Sequence, residues 1–320
     1  MLIGMLGGFL GNLIREQIEK KKSKKLNENI INENIKEEDE KKSQDSSLVI
    51  ENETVKAEWT KFYEYKYSIG RGGYGYVSKV KDRKTNEYRA AKIIKKNENE
   101  FKNKEFINEV SIMKKCTNNN SVKIYELFDS EKEYAIIMEL CDCNLKKYLD
   151  ENPNGLKAKE IKKILTQLNN TFRIMVDKKI IHRDLKLENI LLKYENLDYT
   201  VKLTDYGISK KLVTYSQKCK SHIGTIETMA PEVLDDNDKE YNNKCDLWSL
   251  GIIIYQLYFK VSPYRGETKD ALLNKIKNAK QKIFKKTDDP KLDDLIRKLL
   301  IADPSKRLSW KDYFEHPFFK

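Results

Sequence analysis

Between residues 76 and 94 apolar and polar positions alternate on either side of a polar turn: "YVSKVKD", then "RKTN", then "EYRAAKII". A period of two predicts a pair of antiparallel strands. In the second run Ala90, Lys92 and Ile94 share a face, so Lys92 lies among apolar neighbours, where an ammonium needs a partner. The period then changes. In "FKNKEFINEVSIMKK" (101–115) Phe106, Glu109, Val110 and Met113 recur at i, i+3, i+4 and i+7, the inward stripe of a helix. Glu109 is thus available to pair with Lys92; the alternative is that both are solvated. Residues 135–138 read as a buried strand, followed by a turn without regular pattern. Residues 158–179 read as a helix with Ile161, Ile164, Leu165, Leu168, Phe172 and Met175 inward. The thirteen mostly apolar residues 247–259 are too few to span a bilayer.

The first sixty residues follow no such pattern. "MLIGMLGGFLGNLI" is apolar over 14 residues, about 21 Å as a helix at 1.5 Å per residue, short of the ~30 Å hydrocarbon core. It lacks the basic start and small-residue cleavage site of a secretory signal, and Leu2 excludes a myristoylation start. Gly4/Gly8 and Gly7/Gly11 are overlapping G-x-x-x-G pairs, and "KKKSKK" follows at 20–25. A shallow apolar insertion beside a polybasic patch can hold a protein on an anionic membrane surface. A helix docked on its own domain and an unstructured tail are the alternatives. Residues 26–58, rich in Asn, Glu and Lys, have the composition of a disordered linker.

Net charge over the 320 residues is +12, unevenly spread: −2 over residues 1–59 and +14 over the remainder. A basic domain suits anionic ligands, although Lys, Asn and Ile are abundant throughout. No compact basic stripe favours nucleic acid, and none is expected as a partner. The five cysteines include no C-x-x-C pair, which fits a reducing cytosol and a cytoplasmic location.

"IGRGGYGYV" (69–77) contains G-x-G-x-x-G at Gly70, Gly72 and Gly75. By itself this is a phosphate-covering loop or a plain glycine-rich turn. A dinucleotide-binding loop would run into a helix; here strands flank the glycines, which makes them a flap. Downstream, "IIHRDLKLENILL" (180–192) and "VKLTDYGISK" (201–210) bring Asp184, Lys186, Asn189 and Asp205. Transfer of a phosphoryl group to a hydroxyl requires this set: a carboxylate to accept the proton, oxygens to hold a metal ion, and a cation on the moving group.

With these motifs in this order, residues 62–319 resemble the eukaryotic protein kinase family. "HRDLKLEN", with Lys186, and Thr225 are similar to its serine/threonine type. The resemblance implies an α+β, bilobal fold over residues 59–320: a small β-rich N-lobe with one key helix (about 59–139) and a larger helical C-lobe (about 140–320). It implies ATP and Mg²⁺ as cofactors and protein substrates as partners. Ile69, Gly70, Gly72 and Gly75 look like the loop over ATP. Val77 and Ala90 resemble the residues above adenine, Leu191 the one below, Met138 the gatekeeper, and Glu139 and Cys141 the hinge. Lys92 resembles the phosphate-binding lysine paired with Glu109, Asp184 the catalytic base, and Asn189 and Asp205 the Mg²⁺ ligands. Lys186 and Thr225 complete the catalytic group, and His182 is then structural. "GTIETMAPE" (224–232) resembles the end of the activation segment, with Glu232 pairing with Arg307, and 246–251 the start of a buried core helix.

Several positions depart from the family pattern. Asp-Phe-Gly reads Asp205-Tyr206-Gly207, whose hydroxyl needs a partner if buried. Arg89 replaces an apolar residue and should point outward. Leu187 replaces a common proline. Thr228 stands where an aromatic commonly lines the substrate pocket. Ser221 is the candidate regulatory phosphosite, targeted by an upstream kinase and able to pair with Arg183; a segment ordered without phosphorylation is the alternative. Glu188 resembles the acidic residue that reads a basic side chain before the target serine. Against the active kinase stand a non-catalytic kinase-shaped scaffold and a membrane-surface adaptor acting through residues 1–25.

Overall fold

The computed structural model describes residues 58–72, 75–96, 100–207, 209–211, 225–235, 241–279 and 285–320, all within one compact unit, Lys56–Lys320. Expectations for residues 1–25, the linker before Glu58, and Ser221 lie outside the described residues.

The N-terminal lobe is a five-stranded antiparallel sheet, order β1-β2-β3-β5-β4, built from β1 (Tyr63–Gly72), β2 (Gly75–Asp82), β3 (Tyr88–Lys95), β4 (Ile124–Asp129) and β5 (Glu133–Met138). The polar turn between β2 and β3 is closed by the Asp82 carboxylate, which accepts from Lys84 N–H and Thr85 N–H. Helix α1 (Glu100–Lys115) covers one face of the sheet, burying Phe106, Glu109, Val110 and Met113 with Ala90 and Ile94. The stripe read from the spacing is therefore the packed one. The opposite face is also dry: Ala91 and Ile93 pack with Trp59, Tyr63, Val80, Phe128, Ala135 and Ile137. Trp59 caps this second core while its indole N–H reaches the Glu133 carboxylate at 2.8 Å. Arg89 points to this outer side and lies 3.9 Å from the Tyr125 ring centroid. At Gly75 an added Cβ would stand 2.1 Å from the Ile93 carbonyl oxygen, so only glycine lets the flap leave the sheet there.

The larger lobe carries β6 (Cys143–Asn144), helix α2 (Leu145–Asp150), helix α3 (Ala158–Asp177), β7 (Ile180–Ile181), β8 (Ile190–Glu195), β9 (Asp198–Leu203) and β10 (Lys210–Lys211). It continues with α4 (Pro231–Leu234), α5 (Lys244–Phe259), α6 (Lys269–Asn278), α7 (Pro290–Leu299) and α8 (Trp310–Phe314). This is the bilobal α+β arrangement expected. The six inward residues of α3 are all buried. Between 139 and 145 the structure differs from the irregular turn expected: β6 pairs with β8, and Asn144 caps α2 by accepting from Lys147 N–H at 2.8 Å. Both elements are too short to leave a period in the sequence.

Helix α5 is buried from Cys245 to Tyr255. No helix among the described residues is long and apolar enough to cross a membrane. Its Asp246 carboxylate accepts from His182 N–H at 2.8 Å and Arg183 N–H at 2.9 Å. Burial raises the Asp246 pKa, opposed by the adjacent His182 and Arg183.

The Arg307 guanidinium forms a two-pronged ion pair with Glu232, at 2.7 and 2.8 Å, with both side chains buried. Removing one partner strands a charge in the core. Arg307→Met is expected to cost about 3–5 kcal/mol, read as a lower denaturation midpoint, and adding Glu232→Gln should recover part of that loss.

Candidate active site

A cleft of about 940 Å³ opens between the lobes. Ile69, Gly70, Gly75, Val77 and Ala90 line it from the sheet side, Met138, Glu139 and Cys141 at the back, and Leu191 from below. Gly72 closes β1 opposite Gly75. Lys92, Glu109, Asp184, Lys186, Asn189, Asp205 and Thr225 line the same cleft. Apart from Gly72 and the undescribed Ser221, every site residue expected from the sequence borders one cavity.

Two groups of charges organise it. In the first, Lys92 Nζ stands 2.6 Å from Glu109 Oε1 and 3.0 Å from Asp205 Oδ1. Burial alone would lower the lysine pKa; the two carboxylates outweigh it and raise it above the ordinary value. Burial likewise pushes Asp205 up, and Lys92 more than reverses this, holding its carboxyl below the usual range. Gly207 lies beside the same group: an added Cβ there would stand in ordinary contact with Glu109 Oε2, at 3.4 Å. Helix α1 is tied to the same segment by Asn108, whose amide donates to Ser209 O at 2.8 Å.

In the second group the Asp184 carboxylate is held on both oxygens. Oδ1 accepts from the Thr225 hydroxyl at 2.7 Å and from Thr225 N–H at 3.1 Å. Oδ2 accepts from the Asn189 amide at 3.1 Å and faces Lys186 Nζ at 2.7 Å. Lys186 also donates to the Thr225 hydroxyl at 2.9 Å. His182 supports the group from beneath: Nδ1 accepts from Asp184 N–H, so Nε2 carries the proton and donates to Thr204 O at 3.1 Å. The histidine thus ties the Asp184 loop to the residue before Asp205.

The family described as protein kinase domain matches residues 63–319. The chain belongs to the protein kinase family. The kinase domain is 32% identical over 261 residues to "Calcium-dependent protein kinase 4" of Plasmodium berghei (strain Anka), covering 79% of this chain and 48% of that protein. It is 34% identical over 259 residues to "Serine/threonine-protein kinase 10-A" of Xenopus laevis, covering 79% of this chain and 27% of that protein. The chain spans about half, or less, of the length of these curated relatives.

Sequence reasoning missed how the kinase hinge is fastened. Lys202 on β9 pairs with Glu139 at 3.0 Å, and Lys193 on β8 donates to Leu140 O at 3.1 Å. The available signal was alternation: Leu191 and Lys193 are two apart on β8, and Leu191 sits opposite Lys202, so all three project from one face of the hairpin.

The Tyr206 variant is fully buried, its ring 5.1 Å from that of His182. Its hydroxyl has no hydrogen-bond partner among the described residues, and burial pushes its pKa well up. The partner expected for it is therefore not found among the described residues. An unsatisfied buried hydroxyl costs about 1–3 kcal/mol, so Tyr206→Phe is expected to raise the thermal midpoint rather than lower it.

A second expectation concerns acid. Because the folded-state pKa of Asp205 is the lowered one, its contribution is complete above the ordinary value of about 3.9 and is lost as pH falls through the folded value. Denaturation midpoints at pH 7 and pH 3 should differ less in Asp205→Asn than in the wild type.

Proposed function

We propose that the domain transfers the γ-phosphoryl group of ATP to serine and threonine hydroxyls of protein substrates. The observation that carries this reading is the Asp184 carboxylate, oriented on both oxygens by Thr225, Asn189 and Lys186 in the cleft that also holds the Lys92–Glu109–Asp205 group. In the proposed mechanism adenine lies between Val77 and Ala90 above and Leu191 below, against Met138 and the hinge. Lys92, held by Glu109, takes the α- and β-phosphates. Asp184 accepts the proton of the substrate hydroxyl, and Lys186 places positive charge on the phosphoryl group as it moves.

Asp205 and Asn189 suit a hard divalent cation. One is a carboxylate held ionised by Lys92; the other spends its amide nitrogen on Asp184, leaving Oδ1 as its ligand atom. Mg²⁺ held there would neutralise charge on the β- and γ-phosphates.

The finer expectations join the same proposal. Lys186 and Thr225 support serine/threonine rather than tyrosine specificity, and the exposed Glu188 supports a basic residue before the target. Thr228 is buried, its carbonyl accepting from Ser249 at 2.8 Å, so a substrate reaches a smaller side chain there than an aromatic would offer. Phosphorylation of Ser221 by an upstream kinase, a linker over 26–58, a catalytic domain from residue 59, and contact of residues 1–25 with an anionic membrane belong to the proposal on sequence grounds alone.

The test compares the full chain with Asp184→Asn for Mg-ATP-dependent phosphate incorporation into a basic Ser/Thr peptide set. The variant should lose about 10²- to 10⁴-fold in rate, the range of general-base contributions, while retaining ATP binding. ATP binding by the wild type without transfer, even after treatment with an activating kinase, would favour a scaffold.

A further inference from the structure

Resting on the nucleotide-binding reading above, we infer that Lys193 is a positioning residue for adenine recognition: its ammonium sets the orientation of the Leu140–Cys141 peptide and so aims the Cys141 N–H into the cleft. Lys193 makes no contact with the cavity; it acts from the far side of the hinge.

A trans peptide is planar, and its C=O and N–H point in opposite directions. No cis bond occurs among the described residues. Lys193 Nζ holds Leu140 O at 3.1 Å, on the side of the β8–β9 hairpin, so the N–H of the same plane is directed away from the hairpin. Cys141 lines the cleft, and among the described residues its N–H donates to nothing in the protein. A backbone donor left open at a cavity wall is available to a ligand acceptor.

The chain is fastened separately on either side, at Glu139 and at Asp142. Before this plane, Glu139 N–H donates to Lys123 O at 2.8 Å and the Glu139 carboxylate is paired with Lys202. After it, Asp142 N–H donates to Leu192 O at 2.9 Å, and the Asp142 carboxylate accepts from Tyr194 N–H at 2.7 Å. Neither the Glu139–Leu140 plane nor the Leu140–Cys141 plane has a backbone partner among the described residues, and Lys193 is the side chain that fixes the sense of the second. Without that ammonium the plane is free to turn over, replacing a donor by an acceptor at the cavity wall. A donor suits the unprotonated N1 of adenine; an acceptor suits the N1–H of guanine. Lys193 therefore acts on which purine is taken, leaving the transfer chemistry at Asp184 unchanged.

The test uses the full chain as wild type, Lys193→Met, which keeps an apolar stem of similar length, and Lys193→Arg, which can still donate. Adenosine and inorganic tripolyphosphate are titrated by calorimetry, and KM and kcat are measured with ATP and GTP. Lys193→Met should weaken adenosine binding about three- to tenfold, the worth of one hydrogen bond, and leave tripolyphosphate binding as in the wild type. It should raise KM for ATP at constant kcat and narrow the preference for ATP over GTP; Lys193→Arg should restore both. Unchanged adenosine binding in Lys193→Met, or parallel losses for adenosine and tripolyphosphate, would overturn the inference while leaving the proposed function intact. A wild type that binds tripolyphosphate but not adenosine would overturn the nucleotide-binding reading and this inference with it.

Discussion

Much of the site hangs on one buried carboxylate. Asp246, on the core helix α5, accepts the two consecutive backbone N–H groups of His182 and Arg183. Arg183 is held there with a positive φ of 69°, a conformation that a long side chain adopts only when its surroundings impose it. From that anchored turn the chain reaches Asp184, whose two oxygens then find Thr225, Lys186 and Asn189. The same turn carries the His182 ring, which fixes Thr204 and hence the approach to Asp205. One carboxylate in a largely buried helix of the larger lobe thus sets the position of both Asp184 and Asp205.

Lys92 performs the corresponding task between the lobes. Its ammonium lies between a carboxylate from helix α1 and one from the segment after β9, so sheet, helix and larger lobe meet at one charge. The pair with Glu109 is nearly dry, with side-chain exposures of 12% and 4%. Such a pair earns its place through geometry more than through net stability, since desolvation offsets much of the attraction. The hinge is fastened by two further lysines, Lys193 and Lys202, from the hairpin face that presents Leu191. The wall of the cleft at Leu191 and the fastening of the hinge are consequently built on the same short sheet.

Most of the site was legible in the chain. The period of two around Lys92 and the helical stripe around Glu109 placed both on inward faces before any geometry was known, because burial of apolar neighbours dictates direction. Asp184, Lys186, Asn189 and Asp205 were recognisable from spacing within two short runs. The Glu232–Arg307 pair, 75 residues apart, was legible only through the resemblance to the protein kinase family, since no local period links such distant positions.

What the sequence determined by itself was therefore which polar groups gather in the cleft, the faces on which Lys92 and Glu109 lie and the family to which the domain belongs. The tertiary structure alone decided the rest. It buried both faces of the small sheet, because Trp59 and Phe128 cover the side that alternation had left open. It placed Tyr206 where its hydroxyl meets no partner among the described residues, and it set Lys193 behind the hinge carbonyl. These outcomes depend on which distant segments come within hydrogen-bond reach of one another, and a one-dimensional pattern carries the direction of a side chain but not what it meets.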